Sequence, residues 1–412
     1  MKIGLLTQEY QSAEQRYGGV GRAFEKMAAW LADRGHHVTV YLQGRVSSET
    51  RESNGVVVVR VAPVSRLHWR LQPWIRRLPP FLRGMLWHAD LNRAMVSRIL
   101  ADAQRGRMDV VLANRGVTAP SLFHRRLLPS VIRVQHSMPK ALRVEKQSVR
   151  LLDRWLHLAE QRSQRAADAL FCPSHAVASY VAAQLGREVP VIPTPMFIPS
   201  RAAVSWDDLQ ERFQLPPQYL MYWGSFLFCK GVDILVDALP AFLEVCPDHG
   251  VVLVGGQKYD DPLHDRLVQR IHALREEHQG RIRVLEGLDH DQLFPMIEHA
   301  VAAVLPSVFD NLPNTLLEAM WLGCPVIGTR GASHDEIVED GVDGLLVEMG
   351  DHKGLSRAMI KLASLSAEER ETLGRAGAAK VRQYCDPDSV MTRIVEQCET
   401  AIRRYRRSHG GG

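Results

Sequence analysis

The chain has 412 residues, 46% hydrophobic and 24% charged, a composition that excludes a disordered, collagen-like or disulfide-stapled protein and suits two or three domains, each with its own core. No apolar run reaches the roughly 18–20 residues of a spanning helix. Six scattered cysteines with no CxxC or metal-ligand spacing point to a reducing, cytoplasmic setting. The net charge of +5 averages two unlike halves: residues 1–200 hold 29 basic and 14 acidic side chains, residues 201–412 hold 22 and 32, and four of those 22 are arginines at 403–407. Such asymmetry marks a partner surface such as an anionic membrane, a nucleic acid or an acidic ligand.

MKIGLLTQEY opens as a strand over Lys2–Gln8 and not as a signal peptide, because no apolar h-region follows its single lysine. GGVGR (18–22) leads into a helix with Phe24, Met27, Ala28 and Leu31 at helical spacing, stopped by Gly35. HVTVYL (37–42) is the next strand, which completes a strand–loop–helix–strand unit of a parallel sheet. Strands are expected over 56–64, 110–114, 131–137 and 168–174, a long helical stretch over 140–166, and a short helix from Ser174. PVIPTPMFIP (190–199) is too rich in proline for regular structure and reads as a linker.

The same rhythm then restarts. Strands at 219–225, 250–256, 281–287, 301–307, 325–329 and 344–348 alternate with helices at 232–245, 265–277 and 315–323. The fold class is therefore α/β, with two Rossmann-like parallel-sheet domains facing a cleft. The expected bounds are 1–189, a linker at 190–204, 205–385, and a terminal segment 386–408. Ligands of open α/β sheets sit at the carboxyl ends of strands, so the loops there are where chemistry is sought.

YWGSFLFCKG (222–231) runs from a strand through a glycine turn to Lys230 and a helix. Helix-start N–H groups with a lysine ammonium suit a diphosphate; a tight turn with a solvated lysine is the alternative. In PSVFDNLPNTLLEAMWLGCPVIG (306–328), Thr315 and Glu318 match a capping box, which predicts a helix from Thr315 that Gly323 and Pro325 end. Asp310 lies eight residues before Glu318, just past a strand end. Two carboxylates so placed can hold sugar hydroxyls, or one can cap its helix while the other opens a turn.

GGVG lacks the third glycine and spaced acid of a dinucleotide fingerprint and reads as a loop approaching an anion or sugar. His136 ends the strand VIRVQH, which points it toward the same cleft, although a single histidine is more often structural than catalytic. Residues 66–93 hold six arginines, three tryptophans and one acid. They suit an anionic bilayer surface, or an insertion whose indoles fill the core; no nucleic-acid motif accompanies them, so no nucleic acid is expected as a partner. Asp289–Asp291 and Asp386–Asp388 make no convincing DxD metal site.

Taken in order, GGVG, His136, DALFCPSHAV, VIPTP, GSFLFCKG, LPSVFDNLPNTLLEAMWLGCPVIGT and DEIVEDGVDGLLVE make a chain that resembles the retaining glycosyltransferases of family 4, with the GT-B fold. The resemblance spans the whole chain and is sharper in its second half. It implies sugar transfer from a UDP- or GDP-linked nucleotide sugar, as substrate, to a glycan or lipid-linked glycan in cell-envelope polysaccharide or glycolipid synthesis. It implies no metal and no cofactor, and a C-terminal helix that crosses back to the first domain; the reduced cysteines and the basic aromatic region favour a cytoplasmic location with peripheral attachment to the inner face of the membrane.

Residue by residue, Lys230 matches the diphosphate-binding lysine and Glu318 the ribose-holding acid of the paired-glutamate motif. Asp310 stands where the first glutamate is usual, with Asn311 beside it. The N–H groups of Leu316 and Leu317 would contact phosphate, Gly287 and Leu288 would lie by the base, Gly19 near the donor phosphate, and His136 beside the sugar. Ser225 departs from the family, which usually has arginine there, so Arg22 or Arg330 would have to supply the missing charge. Two other readings share the fold: a non-catalytic binding or assembly subunit, and a nucleotide-sugar epimerase.

Overall fold

The structure, a computed structural model, describes residues 1–10, 19–63, 78–114, 119–135, 151–198, 204–256, 262–278 and 280–409. The chain divides into two compact units. The described residues up to Phe197, together with those from Pro387 on, form the first, and Ile198–Asp386 form the second.

In the first unit the strands β1 (Lys2–Leu6), β2 (His37–Gln43), β3 (Ser48–Arg51), β4 (Val57–Val61), β5 (Val110–Asn114), β6 (Ser130–Arg133) and β7 (Ala169–Phe171) form one sheet. Their order is β3-β4-β2-β1-β5-β6-β7. Every pairing is parallel except β3 with β4. The antiparallel β3, SETR, has no apolar signal because all four residues are exposed at the sheet edge.

Elsewhere the strands are mostly apolar, with polar residues chiefly at their ends, because helices cover both faces. On one face Ile3, Leu5, Leu112, Val131 and Phe171 pack with Phe24, Met27 and Leu31 of the helix Gly19–Asp33. The C-terminal helix Pro387–His409 joins this same cluster through Val390, Met391, Ile394, Cys398 and Ala401. Its Arg404 donates to the Asp168 carbonyl at 2.9 Å, so a basic side chain from the end of the sequence lies against the basic half. On the other face Leu6, Val111, Ala113 and Ile132 pack with Leu91, Met95 and Ile99.

The proline-rich segment is no free span. Cys172 N donates to Pro190 O and Ile192 N to Cys172 O, at 3.0 and 2.8 Å, while Ile192, Thr194 and Met196 are buried. The first unit therefore extends to Phe197, eight residues past the expected bound at 189, because this segment satisfies its backbone on the end of β7. Of the basic aromatic region, 66–77 lies outside the described residues. From Pro80 it is the helix Pro80–Gln104, whose Trp87 packs against the core cluster while Leu82 and Leu86 are 41% and 43% exposed. Among the described residues no helix is long and apolar enough to cross a membrane.

The second unit holds β8 (Tyr219–Trp223), β9 (Gly250–Val254), β10 (Ile282–Leu285), β11 (Ala302–Val304), β12 (Val326–Thr329) and β13 (Leu345–Val347). All pair in parallel, in the order β10-β9-β8-β11-β12-β13. Leu220, Leu253, Val304 and Ile327 of the sheet bury against Val236, Leu239 and Phe242 of the helix Val232–Val245 and Met359 and Leu362 of the helix His352–Ser364.

Candidate active site

The functional side chains of the second unit gather past the carboxyl ends of β8, β11 and β12. After β8 the chain turns through Ser225 into the short 3-10 segment Phe228–Lys230, and Gly231 follows in the left-handed region at φ 68°. A Cβ on Gly231 would lie 1.9 Å from the Pro306 carbonyl oxygen, so only glycine lets the two loops touch. Val308 N and Phe309 N both donate to Cys229 O, at 2.9 and 3.1 Å. The backbone carrying Lys230 is thereby tied to the backbone carrying Asp310.

Lys230 Nζ donates to Asp310 Oδ2 at 2.5 Å, Ser307 Oγ donates to the same oxygen at 3.1 Å, and the Asn311 amide donates to Oδ1 at 3.0 Å. Burial alone would push the Asp310 carboxyl up. The Lys230 ammonium outweighs it through charge and hydrogen bond, with His334 and the Asn311 amide adding to it, so the group titrates below the usual carboxylate range. The backbone around it is strained: non-glycine Leu312 and Ser333 hold φ of 46° and 62°, and Ser333 Oγ donates to Asp310 O at 3.4 Å. Each such conformation costs about 1–3 kcal/mol and persists where neighbours over-determine it.

The helix after this loop runs over Asn314–Trp321, one residue earlier than the capping box predicts, and Pro313 is its N-cap with no side-chain cap bond. The Pro313 carbonyl accepts from the amides of Leu316 and Leu317 at 3.1 and 3.3 Å. Those two N–H groups are thus spent inside the first turn, contrary to the expectation that they face phosphate. The helix-start amides with no acceptor among the described residues are those of Asn314 and Thr315. Glu318 is one turn into the helix and does not cap it. Its Oε2 accepts from Trp223 Nε1 at 3.0 Å, and Oε1 lies 3.9 Å from His290 Nε2, a ring stacked on Phe294.

Gly287 and Leu288 lie between β10 and the helix His290–Glu298. Ser225 is half-buried, and its carbonyl accepts from Tyr222 Oη at 2.8 Å. Arg330 does not stand in for the missing arginine: it pairs with Asp340 at 2.6 Å and Glu348 at 3.3 Å, in a surface group of its own. Gly19 opens its helix in the first unit, which also carries Arg22. His136 lies outside the described residues.

Four participants escape sequence reasoning: Trp223, His290, Ser307 and His334. None belongs to a local pattern, since each acts on a partner brought in by the fold. His334 is fully buried, and its Nδ1 accepts from Thr329 N at 3.0 Å, so the neutral ring carries its proton on Nε2. Burial lowers its pKa to about 4; Asp310 favours the cation, Lys230 opposes it, and Asp335 favours it. A histidine depressed in the fold leaves stability intact above pH 6.5 and removes it as pH falls toward 4, because the unfolded chain then binds the extra proton. Over that window this ring should cost the second unit up to about 3 kcal/mol. His334→Asn, whose amide can still accept from Thr329 N, should flatten the drop in urea midpoint between pH 7 and pH 5.

A lysine, unsatisfied helix-start amides and two fixed carboxylates on one sheet end can hold an anion and hydroxyl groups together. The chain matches two family profiles: Glycosyltransferase Family 4 over residues 17–196 and Glycosyl transferases group 1 over residues 217–364. It is 25% identical to a glycogen synthase of Mycobacterium tuberculosis over 404 residues, covering 94% of this chain and 91% of the relative. It is 26% identical to spore coat protein SA of Bacillus subtilis over 159 residues, spanning 38% of this chain and 42% of that protein's length.

Among solved structures, the sucrose-phosphate synthase of Thermosynechococcus elongatus superposes with a TM-score of 0.76 at 19% identity, over 96% of this chain and 98% of that one. Anabaena HepE in complex with UDP-glucose gives 0.72 at 18% identity, over 97% and 99%. With each half matched by a glycosyltransferase profile and both sheets shared with these structures, the chain belongs to the family 4 (group 1) glycosyltransferases of GT-B fold.

Proposed function

We propose that the protein transfers a hexosyl unit from a UDP- or GDP-linked sugar to a glycan or lipid-linked glycan, keeping the anomeric configuration and using no metal, in cell-envelope polysaccharide or glycolipid synthesis. The Lys230–Asp310 pair is the observation that carries this reading. Lys230 and the amides of Asn314 and Thr315 neutralise charge developing on the β-phosphate as the glycosidic bond breaks. Asp310 orients donor-sugar hydroxyls, and Glu318 holds the ribose. The acceptor hydroxyl attacks from the face the diphosphate leaves, and a departing phosphate oxygen takes its proton.

The test is turnover with a panel of nucleotide sugars in EDTA, with and without acceptor. Transfer at full rate in EDTA is expected. Activity lost in EDTA and restored by Mg²⁺ or Mn²⁺ sinks the metal-free mechanism. Ser225 favours the non-catalytic subunit, which would turn over no donor at all, and an epimerase would form product without acceptor.

The acceptor reading brings a membrane surface with it. The exposed Leu82 and Leu86, next to Arg83 on the helix Pro80–Gln104, support it, as do the arginines and tryptophans of 66–77. The protein should float with anionic liposomes at low salt and detach at high salt; failure to bind anionic liposomes at low salt retires the membrane reading.

A further inference from the structure

The first sheet reverses direction once. From β1 it grows through β2 and β4 on one side and through β5, β6 and β7 on the other, so the carboxyl ends of β1 and β5 flank the reversal. Ligand crevices form at such points because the chain leaves the two strands in opposite directions. Asn114 closes β5 and is the register partner of Arg133, which closes β6. By alternation both share the face of Leu112 and Val131.

Each of the two side chains is 5% exposed. Asn114 Oδ1 has no hydrogen-bond partner among the described residues. The Arg133 guanidinium has one among them, donating from Nη2 to Thr194 Oγ1 at 2.6 Å. Burial lowers its pKa to about 10, and the Cys172 thiol, not a carboxylate, is the ionisable group that acts on it. Arg126 in the same unit shows the ordinary solution, an ion pair with buried Asp168 at 2.6 Å. A buried guanidinium without a counter-charge is unfavourable.

Among the described residues the two groups lack complementary things: Arg133 an anion, Asn114 Oδ1 a hydroxyl proton. We infer that Asn114 and Arg133 form a binding site for a hydroxylated anion, a sugar bearing a phosphate or a carboxylate. That this sugar is the acceptor rests on the transferase reading above; the site itself does not.

Calorimetric titration of the full chain with glucose 6-phosphate, glucuronate and glucose tests it. One or both anions should bind at least about tenfold more tightly than glucose, and the tighter one tells phosphate from carboxylate. Arg133→Met should lose that preference while its thermal midpoint stays level or rises, because an isolated buried charge has been replaced by packing. Asn114→Ala should weaken the anions further, and Arg133→Lys should fall between wild type and Met. Lys230→Ala should bind the anions normally, so failure of the donor site and failure of this one are separate results. Equal affinity for glucose, no binding of either anion, an unchanged Arg133→Met titration, or unfolding of both Arg133 variants would overturn the inference; the last would make Arg133 a structural tie to Thr194.

Discussion

Lys230→Ala is expected to lower donor kcat/KM by about 10³-fold, equivalent to about 4 kcal/mol of transition-state stabilisation, in a chain that stays folded. The size follows from the chemistry. On the proposed mechanism the leaving diphosphate gains charge as the sugar departs, and Lys230 is a cation held at this site by two loops, while the resemblance expects a second at the position of Ser225. The amides of Asn314 and Thr315 remain, so some rate survives. Folding should survive too: the lysine side chain is 30% exposed, and Asp310 keeps its bonds from Ser307 and Asn311. Lys230→Arg should recover only part of the loss, because a planar fork does not reproduce a point charge. A folded Lys230→Ala enzyme with near-normal turnover would remove Lys230 from the mechanism.

The second large effect is on stability. Gly231→Ala should cost about 2–5 kcal/mol in chemical unfolding, combining a left-handed backbone with a Cβ driven into the Pro306 carbonyl. Against a typical total of about 5–15 kcal/mol this is a large share. Gly350→Ala separates the two causes. Gly350 also holds a positive φ, 80°, but a Cβ there meets nothing within 4 Å, so only the backbone contribution of about 1 kcal/mol should appear. Equal losses at both positions would mean the close approach is not what makes Gly231 necessary. Surviving Gly231→Ala protein should also bind donor poorly, since relief of the clash moves Lys230 away from Asp310.

Much of the architecture is legible because burial writes itself into composition. β8 and β9 are apolar throughout, β1 is so after Lys2 and β5 up to Asn114; all four stand between covered faces, and the ends of β8 and β9 are marked by Gly224 and Gly255. The antiparallel β3 could not be read that way, since an exposed edge strand imposes no hydrophobic pattern. The T-x-x-E pattern misled for a different reason. Pro313 had already set the start of the helix, and the Trp223 indole offered Glu318 a buried partner better than the helix's own amides.

Local sequence by itself determined the two-sheet α/β organisation, the position of the Lys230 turn and the two carboxylates at 310 and 318. It did so because strand burial and glycine turns are short-range constraints. Tertiary structure alone decided that Lys230 meets Asp310 across 80 residues and that Trp223 meets Glu318 across 95. It also decided that the Pro313 carbonyl takes the amides expected to face phosphate, and that Arg133 lies buried beside Asn114 with no carboxylate partner among the described residues. These contacts depend on which strands become neighbours, and strand order is a property of the whole sheet that no local window contains.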